Sequence, residues 1–383
     1  MHERSECRTE FGGEMSRLFE LQRMGQSVWL SFAARGLIMR GGLAQMAASG
    51  VRNVGCDPVA LARSIKASFT YDGEIQAVLY SKPRAGARQI FNALVIDDVR
   101  AAADILEETF ETSRGLDGYV CLDISPHRAN DPAGAVAQAR YFWHEAVRAN
   151  LMVKLPATAE AWPVVEELVA AGLNVNISSV TTVRTYEEAA RAFSRGLAKN
   201  PRMRDVCAVA SVPVGMICER VDEALVRDGS AQAREMLGKG AVANARAIYC
   251  RYRDLFCGEE YSFLRNKGAH ALLPVWECAA PDGSPQKSIA NAEALIGPNT
   301  AVSLTAEAIA AFQGAGKVAA TLAAGLEESA RTLSFLAERR IHLGAIGERF
   351  REDVIVSHAK AYEEIITSIN SKRMDTPAFK AAA

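Results

Sequence analysis

The stretch Asn150-Leu-Met-Val-Lys-Leu-Pro-Ala157, running on into Thr158-Ala-Glu-Ala-Trp-Pro-Val-Val-Glu-Glu-Leu-Val-Ala-Ala-Gly172, decides how the rest of the chain is read. Its first half is a short, nearly continuous apolar run, the pattern of a strand buried on both faces of a parallel sheet. Its second half pairs Val164 with Leu168 and Val165 with Val169 at a spacing of four and stops at a glycine, which predicts a helix from Thr158 to Ala171. Seven more apolar runs repeat the first half: QSVWLSF from Gln26, VRNVGCDP from Val51, GYVCLDISP from Gly118, LNVNISS from Leu173, VCAVASVPV from Val206, ALLPVW from Ala271 and LIGPNTAVSL from Leu295. Helix-like segments lie between them, among them a run from Pro132 to Ala149 opened by Asp131 as N-cap with proline at the first helical position. Eight strands alternating with helices predict an α/β fold, a closed (β/α)8 barrel.

Two gaps, about 59–115 and 215–270, exceed what one crossover needs and read as helical insertions. After Leu304 the segments Thr305 to Gln313 and Lys317 to Arg340 read as helices with no linker before them. The expectation is a single barrel domain over 21–375, flanked by mobile segments at 1–20 and 376–383.

The 383 residues carry 44 Lys+Arg against 45 Asp+Glu, so no bulk positive field draws nucleic acid or anionic lipid. With 49% hydrophobic and 23% charged residues, the chain has the apolar material for a large core and is neither disordered nor a disulfide scaffold. No stretch approaches the roughly 20 apolar residues of a membrane span. The mixed charges of the first residues are unlike a secretory signal, so a cytoplasmic location is expected. Eight scattered cysteines with no CxxC pair read as reduced core residues, with no metal site. Gly238 to Ala243 matches a loose dinucleotide pattern but does not follow a strand, and no cofactor is expected.

Lys154 is the residue most charged with chemistry. Flanked by Val153 and Leu155, it must point into a pocket or pair with an acid. Desolvation lowers a lysine's pKa, and the neutral amine is the form that attacks a carbonyl to make a Schiff base. The other reading is a salt-bridged structural lysine. Because side chains alternate along a strand, Lys154 shares a face with Met152 and Pro156. Neighbouring runs place Asn174, Asn176 and Ser178, then Asp123 and Ser125, then Ser211, at similar positions, and Ser31 follows the first run. An amine, a carboxylate, amides and hydroxyls around one cavity suit the proton transfers of imine formation, though they also suit a hydrogen-bonded polar core.

The segments GQSVWL, GYVCLDISPHRANDPAGAVAQAR, NLMVKLPATAEAWPVVEELVAAGLNVN, VASVPV and ALIGPNTAVSLTAEAIAAF resemble, in order and spacing, those of the longer bacterial transaldolases. The resemblance runs from about Leu18 to Met374. It implies a barrel whose lysine forms a Schiff base with a ketose, cleaves it and passes a dihydroxyacetone unit to an aldose. That lysine falls on Lys154, the family's asparagine and threonine of the next strand on Asn176 and Ser178, and its strand-six serine on Ser211.

The departures are as informative. The family's proton-accepting aspartate after the first strand is Ser31 here, and a serine hydroxyl is too weak a base at neutral pH. Thr-Ser-Asn-Pro after strand two is Gly55-Cys56-Asp57-Pro58, which makes Asp57 a candidate replacement base. The strand-three glutamate is Asp123, a candidate for proton traffic during imine formation. The arginine that clamps the substrate phosphate is Met216. Trp-Ala-Ser-Thr after strand seven is Trp276-Glu-Cys-Ala, leaving Trp276 as a candidate substrate contact, while Glu277 and Asp282 would repel a phosphate unless Arg220 or Lys287 reaches it.

The reading that joins these observations is a diverged Schiff-base enzyme acting on a small carbonyl or sugar-like substrate without the usual phosphate. Lys154, Asp123, Asp57 and Ser178 are its candidate catalytic residues, and Ser31, Asn176, Ser211 and Trp276 its candidate substrate contacts. The alternatives are an ordinary pentose phosphate pathway transaldolase and a non-catalytic binding barrel. The helical additions and the C-terminal segment offer a face for a homo-oligomer or simply pack on the barrel. His127 reads as a structural hydrogen-bonder, and His144 and His358 as surface or interhelical residues.

Overall fold

The computed structural model describes residues 16–67 and 69–375. Its centre is a closed barrel of eight strands in sequential order: β1 (Gln26–Leu30), β2 (Asn53–Val54), β3 (Val120–Asp123), β4 (Leu151–Pro156), β5 (Val175–Ser178), β6 (Ala208–Val212), β7 (Leu272–Glu277) and β8 (Thr300–Leu304). Every neighbouring pair is parallel, and β1 closes on β8 with Gln26 opposite Thr300 and Leu30 opposite Leu304. Each strand falls inside one of the apolar runs, because each has two buried faces. The outward faces, including Leu30, Val153, Ile177 and Trp276, pack under the helices in the main core. The inward faces form a second cluster of Trp29, Cys121, Met152, Val209, Val275 and Ala301. Burying a Leu or Val completely contributes roughly 1.5–3 kcal/mol, so the continuous apolar strands supply both layers.

Polar groups close the amino-terminal end of the lumen. Asp117 accepts from Ser27 and from Asn53 at 2.7 Å, with Arg52 3.6 Å away. The open end is therefore the one at the strands' carboxyl termini, where barrel chemistry is built.

The helix opened by Asp131 is present, its carboxylate accepting from the Gly134 N–H at 2.9 Å. It spans Pro132–Ala146 and stops short of Ala149, where Val147 turns left-handed at φ +51°. The helix expected from Thr158 begins only at Ala161, because Thr158–Glu160 form a turn closed by the Ala161 N–H on the Thr158 carbonyl at 3.1 Å. The two long gaps are helical, including Pro58–Ala67 and Ala87–Ile105 in the first, Val214–Asp228 and Gly240–Cys257 in the second. Thr305 caps Ala306–Ala315. The helix expected over Lys317 to Arg340 is shorter, Leu326–Glu338, since Gly325 at φ +67° starts it. The mobile segment expected at 1–20 is contradicted over its last residues: Ser16 caps a helix Arg17–Arg23 whose Leu18 is fully buried. The rest of that segment, and 376–383, lie outside the described residues.

The final helix, Leu343–Asp375, is about 50 Å long at 1.5 Å per residue. Its start rests on the loop after β5, where a Cβ at Gly347 would fall 2.1 Å from Thr181 Oγ1. Asp353 then holds Arg220, on the helix that follows β6, at 2.8 Å, and the Arg220 guanidinium lies over the Phe350 ring. Further on, Tyr362 meets Phe91 and His127 edge-on, and Glu363 pairs with His127 at 2.8 Å. Since His127 follows β3, the helix bridges the β5–β6 and β2–β3 sides of the barrel's carboxyl end. His127 is the structural hydrogen-bonder expected of it, and His144 is exposed. Among the described residues no helix is long and apolar enough to cross a membrane.

Candidate active site

Lys154 projects from β4 into the lumen, in register with Asp123 of β3 on one side and Asn176 of β5 on the other. Only 9% of the residue is exposed. Its ammonium donates to the Cys56 carbonyl at 3.2 Å and lies 3.5 Å from Glu277 Oε1, reaching in from β7. Burial works against the charge, but Glu277 and then Asp123 outweigh it and hold the Lys154 pKa well above the ordinary value. The expectation of a lysine left neutral by desolvation is therefore wrong for the resting site. Two carboxylates facing the same cavity supply what burial removes.

The approach of Cys56 to Lys154 depends on Gly55. A Cβ there would lie 2.7 Å from the Ser31 carbonyl, so the backbones after β1 and β2 touch only because that residue has no side chain. Burial first and the Asp123 carboxylate second push the Cys56 thiol pKa well up. Asp123 Oδ2 is buried without a hydrogen-bond partner among the described residues. At the level of the lysine, Ser211 donates to Asn176 Oδ1 at 2.9 Å, and the Asn176 amide contacts Cys121 Sγ at 3.4 Å. Burial pushes the Cys121 thiol up to about 12. Asn176, in register with the lysine, is thus braced by Ser211. Ser178 stands half-buried at the end of β5 and donates to the Leu155 carbonyl at 3.3 Å. Ser31 is half-buried at the end of β1.

Two expected site residues are otherwise engaged. Asp57 is the N-cap of Pro58–Ala67, its Oδ1 accepting from Val59 and Ala60 N–H groups at 2.8 and 3.1 Å, so the expected replacement base is engaged in holding a helix. Replacing Asp57 with Ala should cost about 1 kcal/mol of stability and leave Lys154 reactivity intact, which thermal unfolding and carbonyl trapping would check together. Trp276, expected to touch substrate, is fully buried against the outer helices, because on β7 it alternates with the inward-facing Val275 and Glu277. That same alternation is the signal that would have placed Glu277 beside the lysine.

The two cations considered for a phosphate are both paired. Arg220 is held by Asp353, and Lys287 lies 2.6 Å from Asp282. Met216 packs half-buried against the core. Among the described residues no cluster of His, Cys, Asp or Glu is arranged to hold a metal, and the seven cysteines there are free thiols.

Residues 28–369 match the family model described as transaldolase/fructose-6-phosphate aldolase. A transaldolase of Thiobacillus denitrificans is 30% identical over 91% of this chain and 98% of its own length. One of Neisseria gonorrhoeae is 28% identical over 93% of this chain and its own full length, and one of Thermobifida fusca 26% identical over 92% and 97%. The barrel, the lysine on its fourth strand and these likenesses agree, and the chain belongs to the transaldolase/fructose-6-phosphate aldolase family of enzymes.

Proposed function

We propose that this is a cytoplasmic enzyme in which Lys154 forms a Schiff base with a small ketone or sugar-like substrate that carries no phosphate. The observation behind the reading is the buried Lys154 ammonium, 3.5 Å from Glu277 and in register with Asp123, in a mouth whose two candidate phosphate ligands are tied to Asp353 and Asp282. For attack, the ammonium gives a proton to a neighbouring carboxylate, and the neutral amine adds to the carbonyl carbon. Asp123, whose buried Oδ2 has no hydrogen-bond partner among the described residues, takes and returns the proton as the carbinolamine loses water. Asn176, braced by Ser211, fixes the substrate side of the lysine, while Ser178 and Ser31 line the rim.

An arginine clamp on a phosphate supplies charge-assisted hydrogen bonds of about 1.5–3 kcal/mol, or roughly 10- to 150-fold in kcat/KM. Without one, cleavage and transfer with fructose should run within about tenfold of fructose 6-phosphate at equal concentration. A preference of a hundredfold or more for the phosphorylated sugar would instead support dihydroxyacetone transfer between sugar phosphates, the reading that the relatives' name favours.

A further inference from the structure

Breaking a carbon–carbon bond next to an imine needs a base for the departing hydroxyl, and Ser31 cannot hold that proton at neutral pH. With Asp353 and Asp282 holding Arg220 and Lys287, three further carboxylates come into question. Asp57 caps a helix. Asp123 lies on the strand beside the lysine with its Oδ2 buried, well placed for the nitrogen and its water. Glu277 reaches over from β7, and its side chain is 31% exposed, so it is the carboxylate that borders both the lysine and the open cavity.

We propose that Glu277 is the general base and acid of carbon–carbon cleavage and formation, acting from the strand-seven side of the mouth. The proposal rests on Lys154 being the imine-forming residue. In the iminium formed from a ketose, the hydroxyl on C4 is four bonds from the lysine nitrogen, so a carboxylate already 3.5 Å from that nitrogen borders it. Glu277 takes the C4 hydroxyl proton, and the C4–O bond becomes the carbonyl of the leaving aldehyde. The C3–C4 bond breaks, and its electron pair forms C2=C3 while the iminium π pair returns to nitrogen, leaving a neutral enamine on Lys154. With an acceptor aldehyde the steps reverse: the enamine carbon attacks, and protonated Glu277 returns its proton to the new alkoxide. One carboxylate thus serves both halves of a transfer and ends unchanged.

The same position explains the resting charge. Glu277, Asp123, Cys56 and Cys121 are the titratable groups acting on Lys154, and Glu277 is the strongest of them in holding its proton. The test uses the full-length Glu277→Gln protein and two assays: borohydride trapping of Lys154 with dihydroxyacetone, and aldehyde release from fructose. Trapping should persist, with the midpoint of its pH dependence moved to lower pH because a charge that favoured the ammonium is gone. Aldehyde release should fall on the order of 10²- to 10⁴-fold. Should Glu277→Gln fold poorly, Glu277→Asp keeps the charge and withdraws the carboxylate by one methylene. It should trap normally and release aldehyde on the order of a hundredfold more slowly. Aldehyde release within tenfold of the unmodified protein in either folded variant overturns the role of Glu277 alone. Failure of the unmodified protein to trap dihydroxyacetone at Lys154 overturns the Schiff-base reading and this proposal together.

Discussion

A Lys154→Ala protein should gain no mass when incubated with dihydroxyacetone and borohydride, and its kcat should fall at least on the order of 10³-fold. Removing a covalent nucleophile leaves only the binding and electrostatic remainder of catalysis. Alanine also strands Glu277 and Asp123 without their cation, so lost activity alone could reflect a weakened fold. Lys154→Arg separates the two effects, since a guanidinium keeps a charge for both carboxylates yet stays protonated and forms no imine. The arginine protein should melt near the unmodified one and be equally inactive. Mass gain at another lysine, with Lys154 untouched, would move the chemistry out of the lumen.

The charge state of Lys154 sets how this reactivity varies with pH. Its pKa is raised, so the neutral amine is a minor species at pH 7 and grows as pH increases; trapping should accelerate through the alkaline range and slow on acidification. The same pairing bears on folding with a defined sign. A lysine whose pKa is higher in the folded state stabilises that state fully below its ordinary value of 10.5, and the contribution disappears as pH climbs through the raised folded value.

Trp276→Ala should destabilise the protein by about 3–5 kcal/mol, the cost of emptying a fully buried aromatic site. For a chain of this length that is a fall in melting temperature of roughly 5 °C. Lys154 trapping in the folded fraction should stay unchanged. Trp276→Phe, which refills most of the space, should recover most of the loss. If Trp276 contacted substrate the pattern would be the opposite, with KM raised and the melting temperature kept.

The strands were legible because their neighbours bury them on both faces, which leaves little choice but continuous apolar runs. Asp131-Pro132 announced its helix because cap and first-turn chemistry are local. What the sequence did not display is geometry across the barrel. Glu277 and Lys154 are more than a hundred residues apart in the chain, and in the sequence Glu277 reads only as a charge that would repel a phosphate. Counting alternation from Val275 puts Glu277 inside and Trp276 outside. The direction of the Lys154 shift was missed for the same reason: desolvation can be inferred from flanking Val153 and Leu155, whereas an attractive carboxylate from another strand cannot. Asp57 was misread the other way, because a carboxylate before proline at a helix start has a local use that accounts for it fully. In the C-terminal region, Lys317 to Arg340 looked uniformly helix-prone, and Gly325 was the residue that divided it.

The strands that close the barrel and the helix that covers its mouth are separated along the chain. Every strand has been synthesised once Leu304 is made, but the helix that bridges the carboxyl end finishes only at Asp375. At 5–20 residues per second the intervening segment takes roughly 4–14 s. During that interval a nascent barrel can pair Lys154 with Glu277 while its upper rim is still open to water. The reactive amine and the carboxylate that faces it thus both lie in chain made before their roof.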